Sequence, residues 1–178
     1  EYVAQTAKAG ELIGNKILYL EAGSGAKLAV PLEMIKAVSQ EISIPLIVGG
    51  GIRSQKAIQA AIDAGARCFT HLFNAMSPLT SREPGMVGAA LASKEVYCGL
   101  ILDHLHVHPL SARIAAQCKG EDKLILVTDA MAHTGSELQS LAYQDTEIRR
   151  DGLKLTLPDG TLAGSALDMH TALRHYQH

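Results

Sequence analysis

Ile44-Pro-Leu-Ile-Val-Gly-Gly-Gly-Ile-Arg-Ser54, followed by Ile58, Ala61 and Ile62 and closed by Gly65, reads as one strand, one glycine turn and one helix. The run 44–48 does not alternate with polar residues, which suits a parallel strand covered on both faces. Ile58, Ala61 and Ile62 fall on one helical stripe, and a glycine just past it suits the cap. The unit recurs outward from there. Apolar runs at 16–20, 67–73, 96–102 and 123–127 are further strands, with starts 23 to 29 residues apart. Leu32, Ile35, Val38 and Ile42 behind Pro31 form a helix, Pro109 and Gly120 bracket another over 110–119, and Gly85–Ser93 is a shorter one.

Strands alternating with helices predict an α/β fold of about five parallel βα units, either an open sheet or part of an eight-stranded barrel. A complete barrel needs ~250 residues. At 178 residues the expectation is therefore a partial, half-barrel-like TIM barrel forming one structural domain. Residues 146–162 read differently, because Asp151-Gly152 and Pro158-Asp-Gly160 are turn signals; they predict a small β-hairpin excursion before helical spacing resumes over Ser165–Tyr176.

Composition narrows the function classes. Sixteen Lys and Arg against eighteen Asp and Glu give a net charge of −2 with no basic block, so no nucleic-acid partner is expected. With 47% hydrophobic and 19% charged residues the chain is not disordered, and no apolar run approaches the roughly 18 residues of a membrane span. Aromatics are only 4% and Trp is absent, so Ala, Val, Ile and Leu must fill the core, as in layered α/β folds. Cys68, Cys98 and Cys118 lack metal-ligand spacing and predict buried, reduced thiols in a cytoplasmic protein. No charged-then-apolar leader opens the chain, so no targeting signal is expected.

Two sets of motifs carry resemblances. Tyr19-Leu-Glu-Ala-Gly-Ser-Gly25 with Ile44–Ser54 is similar to the late strands of the geranylgeranylglyceryl (heptaprenylglyceryl) phosphate synthases, over residues 1–66. That resemblance implies glycerol phosphate contacts at Tyr19 and Glu21, and phosphate held by the backbone N–H groups of Gly49, Gly50 and Gly51. From residue 67, Thr70-His-Leu-Phe-Asn-Ala-Met-Ser-Pro78, Arg82-Glu-Pro-Gly85, Leu105-His-Val107, Leu126-Val-Thr-Asp-Ala130 and Gly160-Thr-Leu-Ala-Gly-Ser165 resemble N-acetylglucosamine-6-phosphate deacetylases, which are metal-dependent amidohydrolase barrels. This second resemblance implies a metal ligand at His71, substrate-phosphate contacts at Asn74, Ala75 and Arg82, a substrate contact at His106 and the catalytic acid/base at Asp129. The sequence thus reads as a chimera, engineered or recombined, joined in a helix-to-strand junction after Gly65.

The chemistry implied by either parent is incomplete. A catalytic zinc normally takes three protein ligands, and a single imidazole cannot hold it. In the deacetylases a second His comes one strand before Thr70-His71, where this chain has Gly49-Gly-Gly51. No resident cofactor is therefore expected; a divalent metal such as zinc is the lesser alternative. Bare N–H groups at a strand-to-helix turn can cradle phosphate, although a tight turn needs glycine for backbone reasons alone. Asp129 could equally cap the segment after it, and Arg53 and Arg82 read as surface groups apart from the resemblance. His104, His106 and His108 alternate in sequence and read as solvated loop residues or an adventitious site; the deacetylases usually have Gly at the place of His104. The expected function is a folded scaffold without turnover. The alternatives are a metal-dependent amide hydrolase and a weak module for phosphate or sugar phosphate. The open strand edges predict self-association.

Overall fold

In a computed structural model, residues 2–23, 26–143 and 145–176 are described. The predicted units form a five-stranded parallel sheet in which every strand pairs with the next one in the chain, order β1-β2-β3-β4-β5. These strands are β1 (Leu18–Glu21), β2 (Leu46–Gly49), β3 (Cys68–Phe69), β4 (Tyr97–Ile101) and β5 (Leu124–Val127). The connecting helices are α2 (Leu32–Glu41), α3 (Gln55–Asp63), α4 (Gly85–Ala92) and α5 (Pro109–Lys119), and α6 (Met169–Tyr176) ends the described chain. The local signals act as expected: the Ser54 hydroxyl accepts the Ala57 N–H at 3.2 Å to cap α3, and Pro109 opens α5. The sheet does not close into a barrel.

Four points differ from the sequence reading. Residues Tyr2–Leu12 form a further helix, α1, which carries only Ala4 and Ala7 to the core and so shows almost no apolar stripe in sequence. The predicted hairpin is a separate four-stranded antiparallel sheet of β6 (Ser140–Tyr143), β7 (Thr146–Asp151), β8 (Lys154–Thr156) and β9 (Leu162–Ser165). Its two predicted turns lie between β7 and β8 and between β8 and β9, but β6, short and mostly exposed, was not expected. Cys68 and Cys98 are buried and free, whereas Cys118 is exposed on α5. The run 67–73 also yields only a two-residue strand, because the chain turns away after Phe69.

The two largest apolar clusters are separated at one place in the sequence, and two smaller ones lie at Ile101–Leu167–Ala172 and in the antiparallel sheet. One apolar cluster joins α1, α2, α3 and β1–β2 through residues such as Ile35, Val38, Leu46 and Ala61, and extends no further than Ala66. The other joins β4, α4 and α5 through Leu72, Val87, Cys98, Leu100 and Ala115, and begins at Phe69. The two meet where pairing is shortest: β2 and β3 share one register pair, Ile47 with Cys68, against four each for β1–β2 and β4–β5. A small space of about 30 Å³ lies between them, lined by Val48, Ile58 and Ala61 on one side and Cys68, Met86 and Val96 on the other.

Candidate functional site

The C-terminal ends of β1, β2 and β3 open onto one cleft of about 480 Å³. Tyr19 and Glu21 alternate along β1 and both project here from the outward positions of that strand. Gly49, Gly50 and Gly51 form the turn after β2, and His71 and Ala75 come from the loop after β3. Residues singled out on both sides of the residue-66 junction therefore share one space.

The glycine turn is packed closely against its neighbours, by side chains at Gly49 and by backbone at Gly51. A Cβ on Gly49 would lie 2.2 Å from a Glu21 carboxylate oxygen and 2.3 Å from the Tyr19 hydroxyl. Gly51 has φ +70° and its Cβ would meet the backbone of Leu28 and Ala29 at 2.6 Å. The Glu21 carboxylate accepts the Gly23 N–H at 2.8 Å, which closes the loop after β1; Ser24 and Gly25 of that motif lie outside the described residues. The Tyr19 phenol is held protonated well above its ordinary range, first by loss of hydration and then by its hydrogen bond to Glu21, with the Asp129 carboxylate adding to the effect. That last influence connects β1 with the end of β5, the opposite edge strand of the sheet. Arg53 also lines the cleft and donates to the Ala26 carbonyl at 3.1 Å.

The loop after β3 is tightly wound. His71, Phe73 and Ala75 have φ of 37°, 77° and 53°, and the other non-glycine residues with positive φ among those described are His104 after β4 and Asp129 after β5. Backbone strain of this kind costs about 1–3 kcal/mol per residue and gathers at sites that need a fixed geometry. Here all of it lies beyond the C-terminal ends of three adjacent parallel strands, the rim where βα folds bind ligands. His71 Nδ1 lies 2.9 Å from the Asn74 carbonyl, which can only accept, so in the neutral ring Nδ1 carries the proton and Nε2 the lone pair.

Other expected site residues are placed differently. Asn74 turns its amide back onto the Leu72 carbonyl at 3.3 Å, and neither it nor the exposed Arg82 lines the cleft. Asp129 is exposed at the end of β5, with its carbonyl accepting the Ser165 N–H at 2.9 Å. His106 is not a solvated loop residue: its side chain is 2% exposed and its Nδ1 lies 2.5 Å from Asp103. Sequence reading missed Asp103, because its role comes from burial beside His106, which no local pattern announces.

Among the described residues no three His, Cys, Asp or Glu side chains converge. His71 shares the cleft with the glycine turn and with Glu21, the one carboxylate among the residues that line it.

Residues 1–69 match the PcrB family. Geranylgeranylglyceryl phosphate synthase of Flavobacterium johnsoniae is 61% identical over 61 residues, 34% of this chain and 25% of its own. N-acetylgalactosamine-6-phosphate deacetylase of Shewanella sp. (strain ANA-3) is 46% identical over 165 residues, covering 89% of this chain and 42% of its own. The chain is similar to proteins of two families. The deacetylase likeness is not confined to residues 67–178, since 89% of the chain reaches across the junction into the segment that also matches the synthase. The solved N-acetylglucosamine-6-phosphate deacetylase of Pasteurella multocida superposes with a TM-score of 0.76 at 31% identity, over 96% of this chain and 43% of that one. The enzyme from Mycobacterium smegmatis in complex with N-acetyl-D-glucosamine-6-phosphate gives 0.78 at 30%, over 97% and 44%. The chain thus spans about two fifths of the length of the deacetylases it matches. No helix among the described residues is long and apolar enough to cross a membrane.

Proposed function

We propose that this chain is a partial (β/α) barrel, joined near residue 66 from two parental barrels, which binds a phosphate monoester in the β1–β3 cleft and turns nothing over by itself. The observation that carries this reading is the single cleft lined by Gly49–Gly51, Tyr19 and Glu21 from one side of the junction and by His71 and Ala75 from the other. Backbone N–H groups at a strand-to-helix turn supply anion recognition without a charged side chain. Glu21 and the His71 Nε2 lone pair are hydrogen-bond acceptors, suited to the hydroxyls of a polyol or sugar phosphate rather than to bare phosphate. The relatives are named for amino-sugar phosphates and a glyceryl phosphate, the same chemical class.

Turnover as a deacetylase would need an activated water and a proton-transfer group held together. Asp129 and His71 do not line one cleft. With two open sheet edges, the chain is proposed to self-associate. Amide NMR signals of residues 49–54 should shift on adding N-acetylglucosamine-6-phosphate, with a Kd near 1 mM, while acetate release stays at background with added zinc. Unmoved amides would overturn the binding, and turnover abolished by Asp129→Asn would overturn the silence.

A further inference from the structure

A cavity of about 790 Å³ lies away from the β1–β3 cleft, between β4–β5 and the helices α5 and α6. Leu100, Leu124 and Leu126 supply its sheet side, and Ala112 and Ala116, one turn apart on α5, leave it open because each side chain is a single methyl. Helix α6 is anchored through Ala172 against Ile101 and Val127, and the residues that follow bring Leu173 and His175 to the cavity. Sites that enclose a small ligand measure ~300–1,000 Å³ and are mostly apolar, with a few convergent polar groups. This cavity has that composition and shares no lining residue with the cleft.

Its charge is of one sign. Arg113 of α5, His104 of the loop after β4 and His175 of α6 line it, and no Asp or Glu does. A cleft with low-dielectric walls and cations alone concentrates anions. The two imidazoles are stacked, with ring centroids 4.5 Å apart and 16° between their planes. His104 is held there with φ 63°, in the left-handed region that a β-carbon disfavours. The Nδ1 of His175 is shielded from solvent and has no hydrogen-bond partner among the described residues. Shielded polar atoms are normally paired, so this one marks a place for a ligand's polar group.

We propose that this cavity is a second ligand site, which takes a medium-chain carboxylate with its alkyl chain against Leu100, Leu124 and Leu126 and its head group at Arg113 and the Nδ1–H of His175. The test titrates decanoate, below its micelle concentration, into the whole chain and follows the ring signals of His104 and His175 by NMR beside the amides of residues 49–54. The ring signals should shift, with affinity rising about fourfold for each methylene from hexanoate to decanoate. The amides should stay still. Decyltrimethylammonium, of opposite charge on the same chain, should bind at least about tenfold more weakly, and Arg113→Glu, at an exposed position, should weaken decanoate by a similar factor. Ala116→Phe, which fills the cavity from α5, should abolish the ring shifts.

Ring signals that ignore decanoate overturn the proposal. Equal binding of the decyl cation, or an unchanged affinity in Arg113→Glu, overturns the anionic class of the ligand. Shifts that survive Ala116→Phe place the ligand outside the cavity and overturn the site. If decanoate is ignored and Ala116→Phe lowers the mass seen by light scattering, a second copy of the chain covers the cavity instead. None of these outcomes depends on whether residues 49–54 respond to N-acetylglucosamine-6-phosphate, so the cleft reading stands or falls separately.

Discussion

Gly49 and Gly51 are adjacent in kind and opposite in consequence. An added methyl at Gly49 strikes the ends of two side chains, Tyr19 and Glu21, which can swing aside. At Gly51 it strikes backbone, in a left-handed conformation that a β-carbon resists. Gly51→Ala should therefore destabilise the chain by about 1–3 kcal/mol in urea unfolding. Gly49→Ala should leave the urea midpoint nearly unchanged while abolishing the ligand-induced shifts of residues 49–54. Equal destabilisation by the two would show that the Tyr19–Glu21 pair is as rigid as backbone. The motif around these glycines was legible, because strand, turn and helix each leave a local pattern. Asp103 was not: its importance comes from burial beside His106, and a strand-end Asp looks the same in sequence whether it is wet or dry.

Among the elements, α1 shows what periodicity cannot reveal. Its contact with the core is two alanines, and polar side chains supply much of the attachment. Glu11 pairs with Lys8 at 2.6 Å and accepts from the Ser43 N–H at 2.8 Å and its hydroxyl at 2.5 Å, tying α1 to the turn before β2. The Lys8 bond first, and then the two from Ser43, hold its carboxyl at about 2, below the ordinary 4.5. Because the folded value is the lower one, this stabilisation is complete above the ordinary value and is lost as pH falls from about 4.5 through about 2. The protection factors of the α1 amides, which correct for the intrinsic pH dependence of exchange, should fall across that window, and in Glu11→Gln they should be low already at pH 6. An α1 equally protected in both proteins would place its attachment elsewhere. The antiparallel sheet was half legible for a related reason: turn dipeptides announce β7–β9, but β6 is exposed at most positions and has no apolar alternation to reveal it.

At the scale of the whole molecule, the boundary read from motifs near residue 66 coincides with the separation of the two largest apolar clusters between Ala66 and Phe69. Such agreement follows from layered packing: each βα unit touches its neighbours, so two sequences can be legible separately while their contact is not. The space of about 30 Å³ at that contact is lined by apolar side chains from both sides. Val96→Ile adds one methylene from a residue that lines it and should raise stability by up to about 0.8 kcal/mol; a loss would mean the space is too narrow to fill. The unpaired edges of β1 and β5 give the second expectation at this scale. Light scattering at micromolar concentration should report a dimer or larger, and a concentration-independent monomer mass would refute it.

The sequential strand order carries a consequence for synthesis on the ribosome. Each parallel strand hydrogen-bonds to the one made immediately before it, so no part of the first sheet waits for a distant segment to emerge. Parallel pairing still has to close a whole helix-containing crossover at each step, but on the ribosome N-terminal units settle first. The segment from α1 to α3 can therefore acquire its own apolar cluster while β4 and β5 are still being translated, and serve as the template on which they dock. The antiparallel sheet is the exception. Ser165 must return to Asp129 and Met131 before its last strand is fixed, so β9 and the helix behind it should be the final parts to gain protection from proteolysis.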